Sequence, residues 1–577
     1  MTIARTPLFF GPEQRSLFGW YHAPEGARRE LAVVICPPFG HEYINAHRSL
    51  RHLADRLAEQ GIAALRFDYD GTGDSAGGDT EAARVAAWRE SIVVAMRELS
   101  ALSGCERIAL IGLRLGATLA LSVANEVDVA ALVLWAPCLR GRTYVRELKA
   151  LHLTGGNRDA ESEPGHIEPG GFLVTADTQL DLGCLDAGDD PPKTTHAFIG
   201  LRDDLTPDDR LREQWSAAGI SVEQRTLSGY HDMMAEPHHT KVPHAAIAQI
   251  VNWLTEVAGP PITTHETPEA RTTQTIGELR ETLVRFGAND ALFGIVSEPI
   301  APVRASAATI LLPNAGSTHH VGPNRLYVFI ARALSRAGFR VLRFDLPGLG
   351  DSVIDDPSRE NHPYVASTPD ALAAAIAMLH QQRSPSSFVL IGLCSGAYAS
   401  LHAALQLDRD PIVESILINP LTFYWEEGMS LDGPVATQEF DKWQWYMKSM
   451  RSRNRWAKLF RGDVNVRSIA RTVVERVRGK VSALRAHNDD EPRRNDLERD
   501  LTRIAESGRK VTFLFSRFDP GFDLLMASAG RAVKSLRKRG LIDVWRSEAA
   551  THTFEEKRSR ELMIESLARH LAERYLA

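Results

Sequence analysis

Cysteine is scarce: five residues in 577 (Cys36, Cys105, Cys138, Cys184 and Cys394), none in a paired or Cys-x-x-Cys spacing. Scattered thiols in odd number exclude a disulfide framework and supply no zinc-ligand pattern; they fit a reducing compartment, the cytoplasm. No apolar run approaches the roughly 20 residues that a spanning helix needs. The opening residues, Met1-Thr2-Ile3-Ala4-Arg5-Thr6-Pro7, lack the apolar centre of a secretory signal. Positive charge is not in excess, and a net charge of −6 gives no whole-chain attraction to nucleic acid or to an anionic membrane. No metal or other cofactor is expected. With 44% apolar and 24% charged residues, the composition is that of a globular chain, and the length requires more than one core.

What is present is said twice. Leu17-Phe18-Gly19-Trp20 returns as Leu292-Phe293-Gly294-Ile295, and Leu31-Ala32-Val33-Val34-Ile35-Cys36-Pro37 as Ala308-Thr309-Ile310-Leu311-Leu312-Pro313. Leu65-Arg66-Phe67-Asp68-Tyr69-Asp70-Gly71-Thr72-Gly73-Asp74-Ser75 returns as Leu342-Arg343-Phe344-Asp345-Leu346-Pro347-Gly348-Leu349-Gly350-Asp351-Ser352. Ile111-Gly112-Leu113-Arg114-Leu115-Gly116-Ala117 returns as Ile391-Gly392-Leu393-Cys394-Ser395-Gly396-Ala397. Asp68 precedes Arg114 by 46 residues, and Asp345 precedes Cys394 by 49. Equal order and near-equal spacing mean a duplicated domain, because a solenoid repeat has a much shorter period. A Pro- and Thr-rich stretch reads as an exposed linker at 258–275, which leaves domains at 1–257 and 276–577.

Within each copy, short β-branched runs alternate with helical patterns. Leu50, Leu53, Ala54 and Leu57 form one stripe of a helix that stops at Gly61, before a strand at Ala63–Phe67; Arg325–Arg336 does the same before Gly338. This alternation predicts an α/β fold, two tandem domains each with a mostly parallel, doubly wound sheet and an inserted lid. Ligands of such sheets sit at the carboxyl ends of the strands. The run Phe388–Leu393, ending in Gly-x-Cys-x-Gly, has the form of a nucleophile elbow, in which a strand turns sharply into a helix and holds the central residue strained. That residue is Cys394, with the alternative of a buried thiol at a tight turn. The N–H of Ser395 would point at a developing oxyanion.

The Leu-Arg-Phe-Asp-x-x-Gly-x-Gly-Asp-Ser string and the elbow some fifty residues later resemble the α/β-hydrolase superfamily, in its serine aminopeptidase or lysophospholipase-like groups. The first copy, with Pro37-Pro38-Phe39-Gly40-His41-Glu42 and its Arg114 elbow, is similar to hydrolase-like proteins associated with bacterial exopolysaccharide and exosortase systems. The resemblance implies the order nucleophile, acid, histidine. Onto this sequence it places Asp519, just after a strand at Val511–Phe515, and His552, before a final helix at Arg558–Tyr575. A second oxyanion donor would come from the N–H of Ala315 or Gly316. The insert at about 421–510 falls where the family keeps a helical lid. Its aromatics (Phe423-Tyr424-Trp425, Trp443, Trp445, Tyr446 and Trp456) suit lid packing or substrate contact. Its basic residues suit a phosphate or an acidic carrier surface.

A thiol at a helix N-terminus beside an imidazole is an activated nucleophile. The expected function is an esterase or thioesterase acting on an acyl ester or thioester, possibly carrier-bound, through Cys394, His552 and Asp519. An acyltransferase and a non-catalytic tandem binding protein are the alternatives. No nucleic-acid partner and no membrane span are expected. In the first copy Arg114 cannot be a nucleophile, since guanidinium stays protonated. Asp203 and His231 stand in order as relics or a working pair. Arg114 requires an anion: Asp203, Asp232, or a ligand carboxylate or phosphate.

Overall fold

A computed structural model describes residues 5–576 except for 25, 155–163, 187–189, 263–267, 305–306, 383–386, 408–410, 427–428, 430–494, 518 and 548–549. The first half builds one sheet from β1 (Arg5–Phe10), β2 (Leu17–His22), β3 (Leu31–Cys36), β4 (Ala63–Phe67), β5 (Arg107–Leu113), β6 (Ala131–Trp135), β7 (His196–Arg202) and β8 (Ser221–Leu227). Their spatial order is β1-β2-β4-β3-β5-β6-β7-β8. From β4 to β8 every pair is parallel; β2 runs against them, and β1, antiparallel to β2, turns back to their direction.

The second half repeats the plan with β9 (Thr273–Ile276), β10 (Leu279–Phe286), β11 (Leu292–Pro299), β12 (Thr309–Pro313), β13 (Arg340–Phe344), β14 (Phe388–Leu393), β15 (Ile412–Ile418), β16 (Lys510–Ser516) and β17 (Ile542–Ser547). Its order is β17-β16-β15-β14-β12-β13-β11-β10-β9. The duplication extends to register: Gly19 lies opposite Phe67, and Gly294 opposite Phe344. A Cβ on either glycine would stand 2.8 Å from the carbonyl of Arg66 or Arg343, which accounts for the recurring Leu-Phe-Gly. The apolar stripes behave as read. Leu50, Leu53, Ala54 and Leu57 are all buried on the helix His41–Glu59, and Leu326–Arg336 buries its counterpart.

The described residues of the connection at 258–275 are mostly exposed, and its two ends are tied down. Ala258 is the buried last residue of the helix His244–Ala258. Further on, Arg271 donates to the carbonyls of Phe9 and Gly11 and to Ser16 Oγ, and β9 begins at Thr273. Arginine side-chain bonds to a neighbouring strand, not chain stiffness, fasten this stretch to the first half.

The halves meet through the repeated motif itself. Phe18 stacks on its counterpart Phe293 with ring centroids 6.1 Å apart. Arg66 pairs with Asp351 at 2.7 Å, and its counterpart Arg343 pairs with Asp74. His320 lies between Asp345 (2.8 Å) and Asp74 (2.7 Å), nearly devoid of solvent contact. Arg325 reaches across to the carbonyls of Gly71 (2.6 Å), Gly73 (2.8 Å) and Ser75 (2.7 Å). Reciprocal pairs of this kind add little net stability over an apolar core, but a misaligned partner would leave charges buried and bare, so they select one docking.

This interface carries a pH signature. Burial opposes the charge on His320, but Asp345 and Asp74 outweigh it and push the imidazole up to about 10. A cation held better by the native state stabilises fully below its ordinary value near 6.5 and loses that contribution as pH rises through about 10. Burial and then Asp74 raise Asp68 to about 7, so its retained proton is also lost with rising pH, from about 4 upward. The thermal midpoint is therefore expected to fall between about pH 6.5 and 10. His320→Gln should flatten that slope, and a midpoint that climbs with pH across the same window would refute the assignment.

Candidate active site

Both elbows form, and alike. Arg114 has φ 55° and ψ −120°, and Cys394 has φ 57° and ψ −114°. A side chain at positive φ costs about 1–3 kcal/mol and persists only where its surroundings enforce it. They do so here: a Cβ on Gly392 would lie 2.0 Å from the Gly396 carbonyl carbon, and one on Gly116 2.2 Å from the Cys36 oxygen. Each elbow ends a central strand, β5 or β14, and starts a helix, Leu115–Ala124 or Ser395–Gln406.

In the second half three elements converge on Cys394. Asp519, beyond the end of β16, has a buried side chain whose Oδ2 lies 2.5 Å from His552 Nδ1, while Oδ1 accepts from the Gly521 N–H. The other imidazole nitrogen, Nε2, is buried without a hydrogen-bond partner. Burial works against charge on His552, yet Asp519 and the neighbouring Cys394 sulfur push it up to about 10. The thiol is thus near enough to act on the imidazole.

Of the three expected oxyanion donors, two are free to serve. The N–H groups of Ser395 and Ala315 make no hydrogen bond to the described residues. The Gly316 N–H does: it donates to Ser395 Oγ at 2.8 Å, so Gly316 is removed from the set. That bond also turns the Ser395 side chain inward, where it is fully buried.

The first half departs from expectation. Arg114 is buried, but its partners are not Asp203 or Asp232. Nε donates to Glu42 Oε1 at 2.6 Å and Nη2 to Glu147 Oε2 at 2.5 Å, carboxylates from the helices His41–Glu59 and Gly141–Thr154. Asp203 is exposed and accepts from the Gly229 N–H, and Asp232 pairs with Lys241 at 3.1 Å. His231 is exposed as well. The residue turned inward is Tyr230, whose hydroxyl donates to Glu42 at 3.2 Å. One position of register therefore separates a histidine that faces solvent from a tyrosine that fills its place. Arg114→Ser, made in a Cys394→Ala background, is expected to show no ester hydrolysis, because His231, the histidine in the family's order, faces solvent. Turnover above that background would mean His231 can swing in.

A family model described as the alpha/beta hydrolase family matches residues 310–558, and one described as serine aminopeptidase, S33, matches residues 30–158. The chain belongs to the α/β hydrolases. It holds two such domains in tandem. Among solved structures it is similar to Est1E from Butyrivibrio proteoclasticus (15% identity over 44% of this chain and 98% of that one, TM-score 0.33). It is also similar to a putative hydrolase from Agrobacterium vitis S4 (18%, 45% and 100%, 0.30). A third is XC6422 from Xanthomonas campestris, titled a serine hydrolase without lid (14%, 44% and 94%, 0.28). No curated protein matches the chain.

Three features of the second hydrolase domain were not legible beforehand. Asn419, at φ 44° after β15, donates to the His552 carbonyl at 2.7 Å and to Ser516 Oγ at 2.8 Å, while Ser516 Oγ donates to the Thr551 carbonyl. These bonds clamp the histidine loop. Tyr364 lies beside the Cys394 sulfur, and burial, then that neighbour, drive its hydroxyl well above the usual range. It stacks on Trp425 (4.5 Å) and meets Tyr398 edge-on (5.1 Å), an aromatic wall at the elbow. Of the insert read as a lid at 421–510, Phe423 is core and packs on Phe513, and Leu497–Glu506 is a helix of the domain body. Trp443, Trp445, Tyr446 and Trp456, with the basic residues among them, lie outside the described residues. No described helix is long and apolar enough to cross a membrane.

Proposed function

We propose that the second hydrolase domain is an acyl-transfer hydrolase, an esterase or thioesterase, in which Cys394 is the nucleophile, His552 the acid–base and Asp519 its orienting acid. The carrying observation is that the one unpartnered nitrogen of an Asp519-bound imidazole faces the thiol on a strained elbow. In the reaction the Cys394 thiol gives its proton to His552 as the sulfur attacks the acyl carbon, and the oxygen that gains charge is received by the Ser395 and Ala315 N–H groups. The C–O or C–S bond to the leaving group then breaks. His552 gives that group its proton, and a thioester joins the acyl group to Cys394. Water, losing a proton to His552, attacks this thioester and frees the acid. Asp519 fixes the proton on Nδ1 and stabilises the charged ring.

An acyl thioester suits a thiol nucleophile because sulfur replaces sulfur at little cost, and a carrier-bound acyl group in the cytoplasm is one form of it. The test is incubation with a short acyl thioester and with a p-nitrophenyl ester, followed by intact mass and peptide mapping. An acyl adduct on Cys394 is expected. Its absence, with no turnover, would leave a tandem binding protein. Amide or ester product formed on adding an amine or alcohol would make the enzyme an acyltransferase.

A further inference from the structure

The cover of the first hydrolase domain touches the second domain beside His552. This cover comprises the helix Gly141–Thr154, an irregular segment bridged at Ile167 and Val174, and the helix Ala176–Cys184. From its segment, Glu168 Oε2 accepts from the Lys557 N–H at 2.8 Å. Lys557 is the first residue of the last helix, Lys557–Tyr575, and Glu556, its own N-cap residue, makes no side-chain cap. The first four N–H groups of a helix need outside acceptors. One of them finds its acceptor in the other domain.

Three further bonds lock the same place. Arg560, buried and stacked over Phe329 at 4.7 Å, donates to the Gly171 carbonyl at 3.2 Å. Asn324 donates to the carbonyls of Thr553 and Phe554, the two residues after His552. Gly171 lies directly against that asparagine: a Cβ there would stand 2.5 Å from its Nδ2. The cover is in turn held from the degenerate site. Glu147 of its first helix pairs with Arg114, and His152, one turn on, accepts from the Glu168 N–H at 3.2 Å.

We infer that Glu168 is a positioning residue for the second domain's reaction: the first domain, having lost its own nucleophile, serves as a brace that fixes the His552 loop. This rests on the Cys394–His552 reading. From within its own domain the loop is held by Asn419 and Ser516 at residues 551–552 and by Asn324 at residues 553–554, and the Glu168 contact adds a restraint from the other domain at residue 557. The titratable groups facing the imidazole are Asp519, Cys394 and Glu555. Glu168 acts on it only through the backbone of 552–557.

The experiment compares the full chain with Glu168→Ala, Glu168→Gln and His552→Ala. Two quantities are read: the pH profile of Cys394 alkylation by iodoacetamide, followed on the Cys394 peptide, and the exchange rate of the Lys557 amide. Glu168→Ala is expected to speed that exchange roughly five-fold, the size of one lost cap, and to shift the alkylation profile part-way toward that of His552→Ala. Glu168→Gln keeps an acceptor oxygen and should restore both. An alanine variant with faster exchange but the wild-type alkylation profile would make Glu168 merely structural and overturn the inference. An alanine variant unchanged in both would overturn it outright. A His552→Ala profile identical to wild type would instead sink the Cys394–His552 reading, and the inference with it.

Discussion

Replacing Cys394 with alanine is expected to lower ester or thioester turnover by roughly 10^4- to 10^6-fold, the range seen when a member of such a unit is removed, and to abolish the acyl adduct. Stability should hardly move, because alanine carries the same Cβ at φ 57° that cysteine does. Glycine at 394 should raise stability by about 1 kcal/mol, since it removes that strain, and be equally inactive. No neighbour can take over. Ser395 is fully buried, and its Oγ is engaged by the Gly316 N–H. Serine at 394 should retain part of the activity, because His552 can deprotonate a hydroxyl in the same place. Steady-state assays of the three variants beside wild type decide the matter. Full activity in the alanine variant would move the chemistry off this elbow altogether.

The elbow turn and the doubled sheet were legible from short motifs that recur in order, whereas Asp519 and His552 were reached only through the family resemblance. A strand ending in Gly-x-Cys-x-Gly needs its glycines for steric reasons that any sequence shows. What was not legible depends on a single step of register or on the other half of the chain. Tyr230 and His231 are adjacent, and no pattern says which turns inward. Asp203, Asp232 and a ligand anion stood as the candidate partners of Arg114, whereas the guanidinium found Glu42 and Glu147, carboxylates 72 and 33 residues away along the chain. Arg66, Asp74, Arg343 and Asp351 were visible as a motif. That the motif of one copy neutralises the motif of the other was not, since a repeat does not reveal whether its charges pair within a copy or between copies. Of the insert, the last helix, amphipathic over Leu497, Leu501 and Ile504, has its apolar face in the body of the domain, a packing that its sequence does not distinguish from a lid.

The second large effect is on the union of the two halves. Arg343 has no solvent exposure and lies between Asp74 and Glu281, with the latter at 3.4 Å. Arg343→Met keeps the bulk of the side chain and removes the charge, so Asp74 and Glu281 face each other with less compensation in a dry interface. Stripping one partner from a buried pair costs about 3–5 kcal/mol. The variant should therefore unfold at a distinctly lower urea concentration, the two hydrolase domains separating before either unfolds. Its mirror, Arg66→Met, should cost a similar amount, because each aspartate keeps a histidine: Asp351 has His47 at 3.1 Å and Asp74 has His320 at 2.7 Å. Asp74→Asn placed on Arg343→Met should recover part of the loss, since Glu281 retains Arg332 at 2.9 Å and no bare carboxylate remains opposite the methionine. Urea titrations of the two single variants and the double variant read these differences directly. Equal midpoints for Arg343→Met and wild type would mean that the reciprocal pairs do not hold the halves together, and the register of docking would have to come from contacts such as the Phe18–Phe293 stack, the Arg325 bonds and the Glu168–Lys557 bond.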